Sequence, residues 1–280
     1  MSTPVLPEYV TKYAPWSISK LGTIEKCAQL FDFRYVNKPP GEAPQGSLAM
    51  RMGNAVHAVL EEVLKGTELR MAMEVGINKG ELTSNEIEEL RSFEDNIVAF
   101  VSRFKKFCDN FAREKGGVVY PVKKLIEENV AFDFDLKPVA FYKKGGNFFR
   151  GKVDVALITA DGIGIVMDHK TGREAAIDDH EDQLKVYCVS VLAKFPEIKE
   201  FITYIHYVKS GNIVQWKRIS ADTVRNEYNP WIYTYAIESA KKLLDTEKII
   251  PDVAPTTGKS QKWICDNCEY KKICPKFLKR

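Results

Sequence analysis

The sequence predicts an α/β protein in which helices flank a mixed β-sheet. Between residues 118 and 170, apolar residues mostly alternate with polar ones, which is the two-residue period of strands. Before and after this stretch they recur every three or four positions, as on the buried face of a helix. With 280 residues, the chain is long enough for these elements to enclose a sizeable core. A strand-rich middle between helical segments therefore favours a sheet covered by helices.

The N-terminal part of the chain is predicted to be helical. A short helix carries Cys27, and after a Pro/Gly loop a second helix runs from Ser47 to about Gly66. The longest helical pattern extends from Thr83 to Lys115 and opens on a Thr-x-x-Glu capping box. We interpret residues 67–116 as a helical insertion.

Strands and helices alternate in the rest of the chain. The predicted strands are 118–133, 138–144, 147–160, 163–170, 199–209 and 213–219. Glycines at hairpin turns separate several of them. One helix is predicted from about Asp178 to Phe195 and another from about Asp222 to Lys242. No repeat or linker interrupts the pattern, so we expect a single domain over residues 1–280.

The composition is that of an ordinary globular protein. Hydrophobic residues make up 45% of the chain and charged residues 28%. No apolar run approaches the roughly 20 residues of a membrane span, and the N-terminus lacks the apolar core of a signal peptide. We therefore expect no membrane association and a cytoplasmic location. Six cysteines in that compartment indicate metal or redox chemistry more than disulfides.

The net charge of +3 is distributed unevenly. Residues Thr256–Arg280 contain seven Lys and Arg against two acidic residues, a charge of +5, so the remainder sums to −2. Such a basic tail could contact phosphate groups, and it could equally serve only to keep the chain soluble.

Two acidic residues and a lysine interrupt the most strand-like stretch, Gly151–Arg173. Side chains alternate along a strand, so Asp168 and Lys170 face the same side. If the strands pair through the turn at 160–162, Asp154 reaches that surface too. Two carboxylates held together repel each other unless a cation lies between them, and oxygen ligands suit Mg²⁺ or Mn²⁺. Such a cation would disfavour the ammonium form of Lys170. The amine could then position or deprotonate a water molecule bound to the cation.

Further motifs accompany this acidic pair in chain order. The set is Gly53-x-x-x-His57, Gly151-x-x-Asp154, Asp168-x-Lys170 and Gln183-x-x-x-Tyr187. Each has an ordinary alternative: scattered charges on a surface hairpin, a histidine on a helix face, or an aromatic residue at the edge of an amphipathic helix. Together they resemble the RecB-like branch of the PD-(D/E)xK nucleases, over most of the chain. Four weak motifs in this order are more specific than any one of them.

The resemblance implies a restriction-endonuclease-like core and a role for each matching residue. His57, Asp154 and Asp168 would bind the Mg²⁺ or Mn²⁺ ion, with the backbone carbonyl of His169 as a further ligand. Lys170 would be the catalytic lysine and would act together with the two aspartates.

The resemblance also implies a substrate. Gln183 and Tyr187 would contact DNA near the scissile phosphate, and either Glu127 or Glu128 would match an acidic residue on an earlier strand. The implied protein is a metal-dependent DNA nuclease, an exonuclease on single-stranded DNA or DNA ends in recombination, repair or CRISPR-type processing. The sequence has no P-loop or helicase motif, so unwinding would need a helicase or another repair, recombination or CRISPR protein as partner. An oligomer is compatible with the resemblance.

Three cysteines stand close together near the C-terminus, as Cys265-x2-Cys268-x5-Cys274. Three thiolates need a fourth ligand to complete a tetrahedral metal site, and no histidine lies nearby in sequence. One branch of the resembled family has an iron–sulfur cluster bound by one cysteine before the nuclease core and three after it. Cys27 matches the first of these, although Ala28 stands where proline often follows.

The resemblance therefore implies a [4Fe–4S] cluster that joins residues 17–36 and 256–280 into a cysteine-cluster subdomain. Structural zinc is the alternative, since CxxC with further thiolates is also a zinc pattern, and an empty reduced site is a third. Two other functions also stay open: a non-catalytic protein that binds DNA ends, and a zinc-stapled assembly or adaptor protein.

Overall fold

A five-stranded mixed sheet dominates the strand content of the computed structural model, which describes residues 5–39, 46–111, 113–115, 118–120, 122–143, 145–244 and 261–275. The strands are β1 (Arg113–Lys115), β2 (Val118–Tyr120), β3 (Lys123–Phe132), β4 (Phe149–Ile158), β5 (Ile163–Lys170), β6 (Glu200–Tyr207) and β7 (Asn212–Ser220). β1 and β2 form a separate antiparallel pair, and β3 to β7 follow one another in the large sheet. β4 and β5 are antiparallel, β5 and β6 parallel, and β6 and β7 antiparallel. The predicted mixed sheet is confirmed.

Helices precede the sheet and alternate with its later strands. They are α1 (Glu8–Thr11), α2 (Ile18–Lys26), α3 (Ala28–Phe31), α4 (Leu48–Lys65), α5 (Leu69–Gly80), α6 (Ser84–Arg91), α7 (Glu94–Phe111), α8 (Glu181–Lys194), α9 (Ala221–Thr223), α10 (Asn229–Leu244) and α11 (Gln261–Asp266). Short π-helical turns at 32–36 and 224–228 continue α3 and α9, and a 3₁₀ turn at 177–180 precedes α8. Within the described ranges no helix is both long and apolar enough to cross a membrane.

Two predicted elements are wrong. The first is the single helix predicted from Thr83 to Lys115, which forms two helices, α6 and α7, and whose last three residues, Arg113–Lys115, form strand β1 instead. Its capping box is present at the start of α6. However, the chain turns after α6, where the amide of Phe93 donates to the carbonyl of Leu90. This turn lets Leu90, Phe93 and Ile97 all enter the same core, which one straight helix would prevent.

The second is the strand predicted at 138–144, which does not form in the described residues 138–143 apart from one isolated bridge at Pro138. The buried side-chain amide of Asn147 donates instead to the carbonyls of Ala140 and Phe141. Because these carbonyls are satisfied within the loop, they need no neighbouring strand.

Packing divides the chain into two compact units. Unit 1 comprises residues 1–47, 131–151 and 230–280, and unit 2 comprises residues 48–130 and 152–229. The domain boundaries inferred from the sequence, including the insertion at 67–116, stay predictions.

The core of unit 2 determines where its polar residues can lie. Apolar side chains of β4, β5 and β6 pack with those of α4, α5 and α7 in one cluster, which includes Leu157, Met167 and Ile202. Further along β6, Ile205 and Tyr207 lie on the opposite face from Ile202 and form a second cluster with Leu184 of α8. Since side chains alternate along a strand, α4 and α7 cover one face of the sheet and α8 the other.

Close packing of α4 against α5 leads to a stability prediction. A Cβ atom at Gly76 would overlap the side chain of Val59 and lie 2.8 Å from the carbonyl oxygen of Ala55. We expect Gly76→Ala to lower the free energy of unfolding by about 2 kcal/mol, because the two helices would have to separate. Urea unfolding followed by circular dichroism measures this. Gly22→Ala, on α2 with nothing within 4 Å of its new Cβ, is the control and should be neutral or slightly stabilising. Equal stability of Gly76→Ala and wild type would contradict the close packing.

Candidate active site

Strands β4 and β5 position the acidic pair. Val155 lies opposite Met167 in the antiparallel ladder, so Asp154 and Asp168 are the next residues along each strand. Both residues are buried: Asp154 is 5% exposed and Asp168 is 2% exposed. The hairpin register expected from the sequence is therefore the one observed.

Three groups surround the carboxylate of Asp154. The backbone amide of His169 donates to its Oδ2 at 2.8 Å, and the hydroxyl of Tyr187 donates to its Oδ1 at 2.8 Å. Nδ1 of His57 lies 3.7 Å from Oδ2. Burial raises the pKa of Asp154 to about 7, and the neighbouring acids add to this effect while His57 opposes it.

Glu127 joins this group from strand β3. Its Oε1 lies 2.8 Å from Nδ1 of His57, and its side chain is almost fully buried. Its backbone φ of +50° is in the left-handed region, which non-glycine residues rarely adopt. The conformation turns Glu127 inward, and Glu128 instead forms an ion pair with Lys194 at a more exposed position. The sequence had left open which of the two glutamates belongs to the site.

One histidine and two carboxylates can together hold a metal ion. Ligand atoms of His57, Glu127 and Asp154 all lie within 4.8 Å of one another. Burial lowers the pKa of His57, but Asp154, Glu127 and Asp168 outweigh it and raise that pKa to about 9. A set of one imidazole and carboxylate oxygens suits Mn²⁺ and also accepts Mg²⁺. This chemistry fits the divalent ion that the sequence predicts.

Asp168 is not part of this close group. Its Oδ2 lies 2.7 Å from Nζ of Lys170, two residues further along the same face of β5. Burial acts to lower the pKa of Lys170, but Asp168 and Asp154 outweigh it and raise that pKa. The lowering of this pKa by a bound cation, which the sequence leads us to expect, stays a prediction. The structure thus places Lys170 at the acidic pair, with Asp168 as its direct partner.

Lys152 and Glu61 were not expected from the sequence and lie at the edge of the site. Nζ of Lys152 is 2.8 Å from Oε2 of Glu127 and 3.3 Å from Oε2 of Glu61. Alternation along β4 places Lys152 on the same face as Asp154, and this was the sequence signal available for it. The amine offsets part of the negative charge that Glu127 brings into the interior.

The ring of His169 points away from Asp154, as alternation along β5 predicts. Its Nδ1 lies 3.0 Å from Nδ1 of His206, which stands opposite it on β6. The ring of His206 stacks on Phe100 with centroids 4.0 Å apart. Burial, with Arg103 and His57 adding, lowers the pKa of His206 to about 3. The two histidines pack together behind the segment of β5 whose backbone amide, that of His169, donates to Asp154.

The buried His206 predicts a loss of stability in acid. Its folded-state pKa of about 3 lies below the unfolded value of about 6.5, so the unfolded chain binds the proton that the folded one excludes. The associated stability is present above pH 6.5 and is lost as pH falls toward 3. His206→Phe keeps a ring against Phe100 but has no proton to bind. Between pH 7 and pH 5, we expect its free energy of unfolding to fall by about 2 kcal/mol less than that of wild type. Urea unfolding of the metal-free proteins at both pH values checks this, and parallel losses would contradict it.

Gln183 and Tyr187 lie one turn apart on α8, which packs against β5. The family resemblance implies that both contact DNA. In the structure Tyr187 is buried and its hydroxyl is bonded to Asp154, whereas Gln183 is partly exposed. The DNA contacts stay predictions, and the bond to Asp154 is a role for Tyr187 that spacing alone did not suggest.

The four predicted cluster cysteines come together within unit 1. Cys27, at the junction of α2 and α3, lines one pocket with Cys265, Cys268 and Cys274. Burial raises the pKa of Cys27 to about 11, and the nearby thiols of Cys268 and Cys265 add to this. Thiols are the ligand type of both iron–sulfur clusters and structural zinc, so the occupant of this pocket stays a prediction.

Other contacts hold the same two segments together. Nε of Arg34 lies 2.6 Å from Oε1 of Glu269, and the rings of Phe33 and Tyr270 are 5.3 Å apart. The predicted basic tail is described only from 261 to 275, so residues 256–260 and 276–280 lie outside the described residues. The subdomain boundaries at 17–36 and 256–280 stay predictions.

Known proteins share the sequence pattern of this chain. Residues 15–275 match the sequence profile of the PD-(D/E)XK nuclease superfamily, a range that includes every motif residue and all four cluster cysteines. Among solved structures, a "Putative exonuclease" from Eubacterium rectale is 12% identical with a TM-score of 0.44, over 95% of this chain and 90% of that one. The crystal structure of SSO0001 is 15% identical with a TM-score of 0.36, over 81% and 85% of the two chains. A search of curated protein sequences gives no significant match.

Proposed function

Because this chain belongs to the PD-(D/E)XK nuclease superfamily, whose members hydrolyse phosphodiester bonds with divalent metal ions, we propose that it is an exonuclease acting on single-stranded DNA or DNA ends. The observation that carries the proposal is the buried group of His57, Glu127 and Asp154 beside the pair of Asp168 and Lys170. Burying several charged side chains together is costly unless they are compensated. A purely structural role would not require such a cluster, so the cluster favours a functional site.

The proposal assigns metal binding to His57, Glu127 and Asp154, with Asp168 and the carbonyl of His169 as further ligands. A divalent cation bound there would supply a water of lowered pKa and would stabilise negative charge on the phosphate. The hydrogen bonds from His169 and Tyr187 orient Asp154, as groups behind a metal ligand usually do.

Lys170 is assigned to the reacting groups because of its place beside Asp168. Its amine is close enough to hold the attacking water and to offset negative charge that develops on a phosphate oxygen. The contact with Asp168 keeps the amine at the acidic pair when no substrate is bound.

A cavity of about 490 Å³ beside Glu127 supports access for a DNA strand. Lys65 and Lys124 line it together with Glu127 and Glu128. Lysines bind the phosphate backbone without regard to sequence, which suits an enzyme that removes nucleotides from an end.

The narrower assignment is to the RecB-like, iron–sulfur branch of the superfamily. It rests on the order of the four motifs and on the meeting of Cys27 with the three C-terminal cysteines. We propose that these thiolates bind a [4Fe–4S] cluster, with zinc as the alternative occupant, and that the enzyme works in recombination, repair or CRISPR-type DNA processing. A helicase or another protein of these processes would supply unwound DNA.

Digestion of end-labelled linear and circular single strands tests the proposal. We expect cleavage of the linear strand in Mn²⁺ or Mg²⁺, none in EDTA, and none by an Asp168→Asn variant purified in parallel. Resistance of the circle would support an exonuclease. DNA binding without cleavage in either metal would refute catalysis and support a protein that only binds DNA ends.

Removing the hydroxyl of Tyr187 tests whether it positions Asp154. We expect Tyr187→Phe to fold, to bind Mn²⁺ about tenfold more weakly and to lower kcat by about tenfold, because Asp154 loses one of its two donors. The affinity for single-stranded DNA in EDTA should not change. Isothermal titration with Mn²⁺ and a DNA-binding assay separate the two roles. Weaker DNA binding with unchanged metal affinity would contradict positioning and favour direct contact with DNA.

A further inference from the structure

The cavity of about 490 Å³ beside Glu127 adjoins the candidate metal site. It is lined by Lys65 of α4 and by Lys124, Ile126, Glu127, Glu128 and Asn129 of β3, all of which belong to unit 2. Glu127 is at the same time a partner of His57. A ligand in this cavity therefore lies next to the residues that would hold the ion.

Two different elements bring lysines to the cavity. His57, Glu61 and Lys65 are four residues apart on α4 and share one face, so Lys65 lies about 12 Å beyond His57 along the helix axis. On β3, the exposed Lys124 faces α7, because its Nζ lies 5.8 Å from the ring centre of Phe104. The two amines therefore approach the same space from a helix and from a strand.

The acids that line the cavity already have cationic partners. Glu127 contacts His57 through Oε1 and Lys152 through Oε2, each at 2.8 Å. Oε1 of Glu128 lies 2.6 Å from Nζ of Lys194. Their repulsion of an incoming anion is reduced by these contacts.

The lysines of the cavity are not balanced in the same way. One carboxylate, that of Glu61, serves two amines: it lies 2.5 Å from Nζ of Lys65 and 3.3 Å from Nζ of Lys152. Lys124 forms no ion pair in the part of the chain that the structure describes. The cavity therefore has positive charge available for an anion.

We propose that this cavity binds the terminal phosphate of the DNA strand, an inference that rests on the proposed function and names the kind of end on which the enzyme acts. Lys65 and Lys124 contact the phosphate oxygens, and the exposed side-chain amide of Asn129 donates to the same group. The phosphodiester that is cleaved follows further along the strand, at the ion held by Glu127 and His57.

A terminal phosphate differs in charge from the phosphates inside a strand. A phosphate monoester carries about −1.5 to −2 charges at pH 7, whereas each internal phosphodiester carries one. Two amines from separate elements suit the higher charge. The volume of the cavity lies within the range of about 300–1,000 Å³ found for ligand sites, and a strand end can enter such a space without being threaded through it.

Strands that differ only at their ends test the proposal without catalysis. Fluorescence anisotropy in EDTA compares short thymidine strands that carry an internal label and a 5′-phosphate, a 3′-phosphate or no terminal phosphate. We expect the phosphate at one of the two ends to strengthen binding to the full chain about fivefold, which also shows which end enters the cavity. Equal affinity for all three strands would overturn the proposal.

Substitutions test whether the lysines cause this gain. Lys124→Ala and Lys65→Ala should each reduce the gain to about twofold or less, whereas Lys124→Arg should keep it, because the guanidinium retains the charge and binds phosphate. Lys123→Ala is the matched control on the same strand, since its Nζ lies 3.6 Å from Oε1 of Glu197 and 5.4 Å from the ring centre of Phe195. It should keep the full gain. A full gain in a protein that carries both Lys65→Ala and Lys124→Ala would overturn the proposal.

Inorganic phosphate separates a strand end from a free anion as the ligand. At constant ionic strength, we expect phosphate in place of chloride to weaken binding of the terminally phosphorylated strand and to leave the unphosphorylated strand unchanged, because only the former occupies the cavity with its phosphate. Displacement by phosphate at concentrations close to the Kd of the strand would overturn the assignment to DNA ends, since the cavity would then be a site for the free anion.

The two proposals fail in different ways. If wild type cleaves DNA in Mn²⁺ but binds phosphorylated and unphosphorylated ends equally, the terminal-phosphate site is wrong and the nuclease stands. If the gain from the phosphate depends on Lys124 but wild type never cleaves, the cavity binds DNA ends and the nuclease is wrong.

Discussion

Asp154→Asn is expected to lose metal-dependent cleavage, with kcat lower by about 10³-fold or more. Asp154 is the residue on which the buried contacts of the site converge: an amide, a hydroxyl and an imidazole all approach its two oxygens. A neutral amide there removes a metal ligand, and with it several kcal/mol of charge stabilisation at the phosphate. Single-turnover cleavage in Mn²⁺, together with calorimetric titration of Mn²⁺, measures both losses.

Matched substitutions separate this effect from a general loss of charge. Glu127→Gln should resemble Asp154→Asn, whereas Glu128→Gln, one residue away and paired with Lys194, should retain nearly full activity. Melting curves must show that the variants fold, because the new NH2 group of Asp154→Asn replaces an oxygen that accepts either the His169 N–H or the Tyr187 hydroxyl, at a cost of about 1–3 kcal/mol. A folded Asp154→Asn protein that still cleaves DNA would contradict the site, and equal losses at Glu127 and Glu128 would contradict the role given to Glu127.

Cys27→Ser is expected to lose the bound cluster and to lower the melting temperature by about 10 °C or more. A metal group held by Cys27 and Cys265 would join positions 238 residues apart in the sequence. For a loop of this length, a cross-link removes unfolded-state freedom equivalent to about 5 kcal/mol, which corresponds to roughly 10–20 °C in a domain of this size. The contacts of Arg34 with Glu269 and of Phe33 with Tyr270 would retain part of the packing.

Anaerobic purification allows a direct reading of the site. We expect brown protein with broad absorbance near about 400 nm and about four iron atoms per chain, lost in Cys27→Ser. Cys108→Ala is the control, since Cys108 packs in the core of unit 2, and the variant should keep the cluster. Zinc without iron in wild type would reject the iron–sulfur assignment. Unchanged metal content in Cys27→Ser would reject Cys27 as a ligand.

Local pattern was sufficient where a contact follows from chain geometry. Alternation along β5 placed Asp168 and Lys170 on one face and the ring of His169 on the other, as the structure shows. The hairpin between β4 and β5 set the positions of the two aspartates, because the short turn after Ile158 fixes the register. The helix ending before Gly66 was predictable for a similar reason, since Gly66 adopts a positive φ there.

The same local reasoning failed where packing overrode it. Buried residues at Val130 and Phe132 would place Glu128 inside by simple alternation, but the left-handed backbone at Glu127 shifts the pattern and turns Glu127 inward. Of the strand predicted at 138–144, the described residues 138–143 form a loop, in which the side-chain amide of Asn147 satisfies the carbonyls of Ala140 and Phe141.

By itself, the sequence determined most of the helices and strands, the hairpin that carries Asp154 and Asp168, and the superfamily, because these depend on neighbouring residues and on motif order. Only the tertiary structure decided that Glu127 reaches His57 across 70 residues of chain, that Tyr187 bonds to Asp154, and that His206 supports His169. Such contacts depend on how helices and strands pack against one another, and periodicity within one element carries no information about the partner that another element will bring.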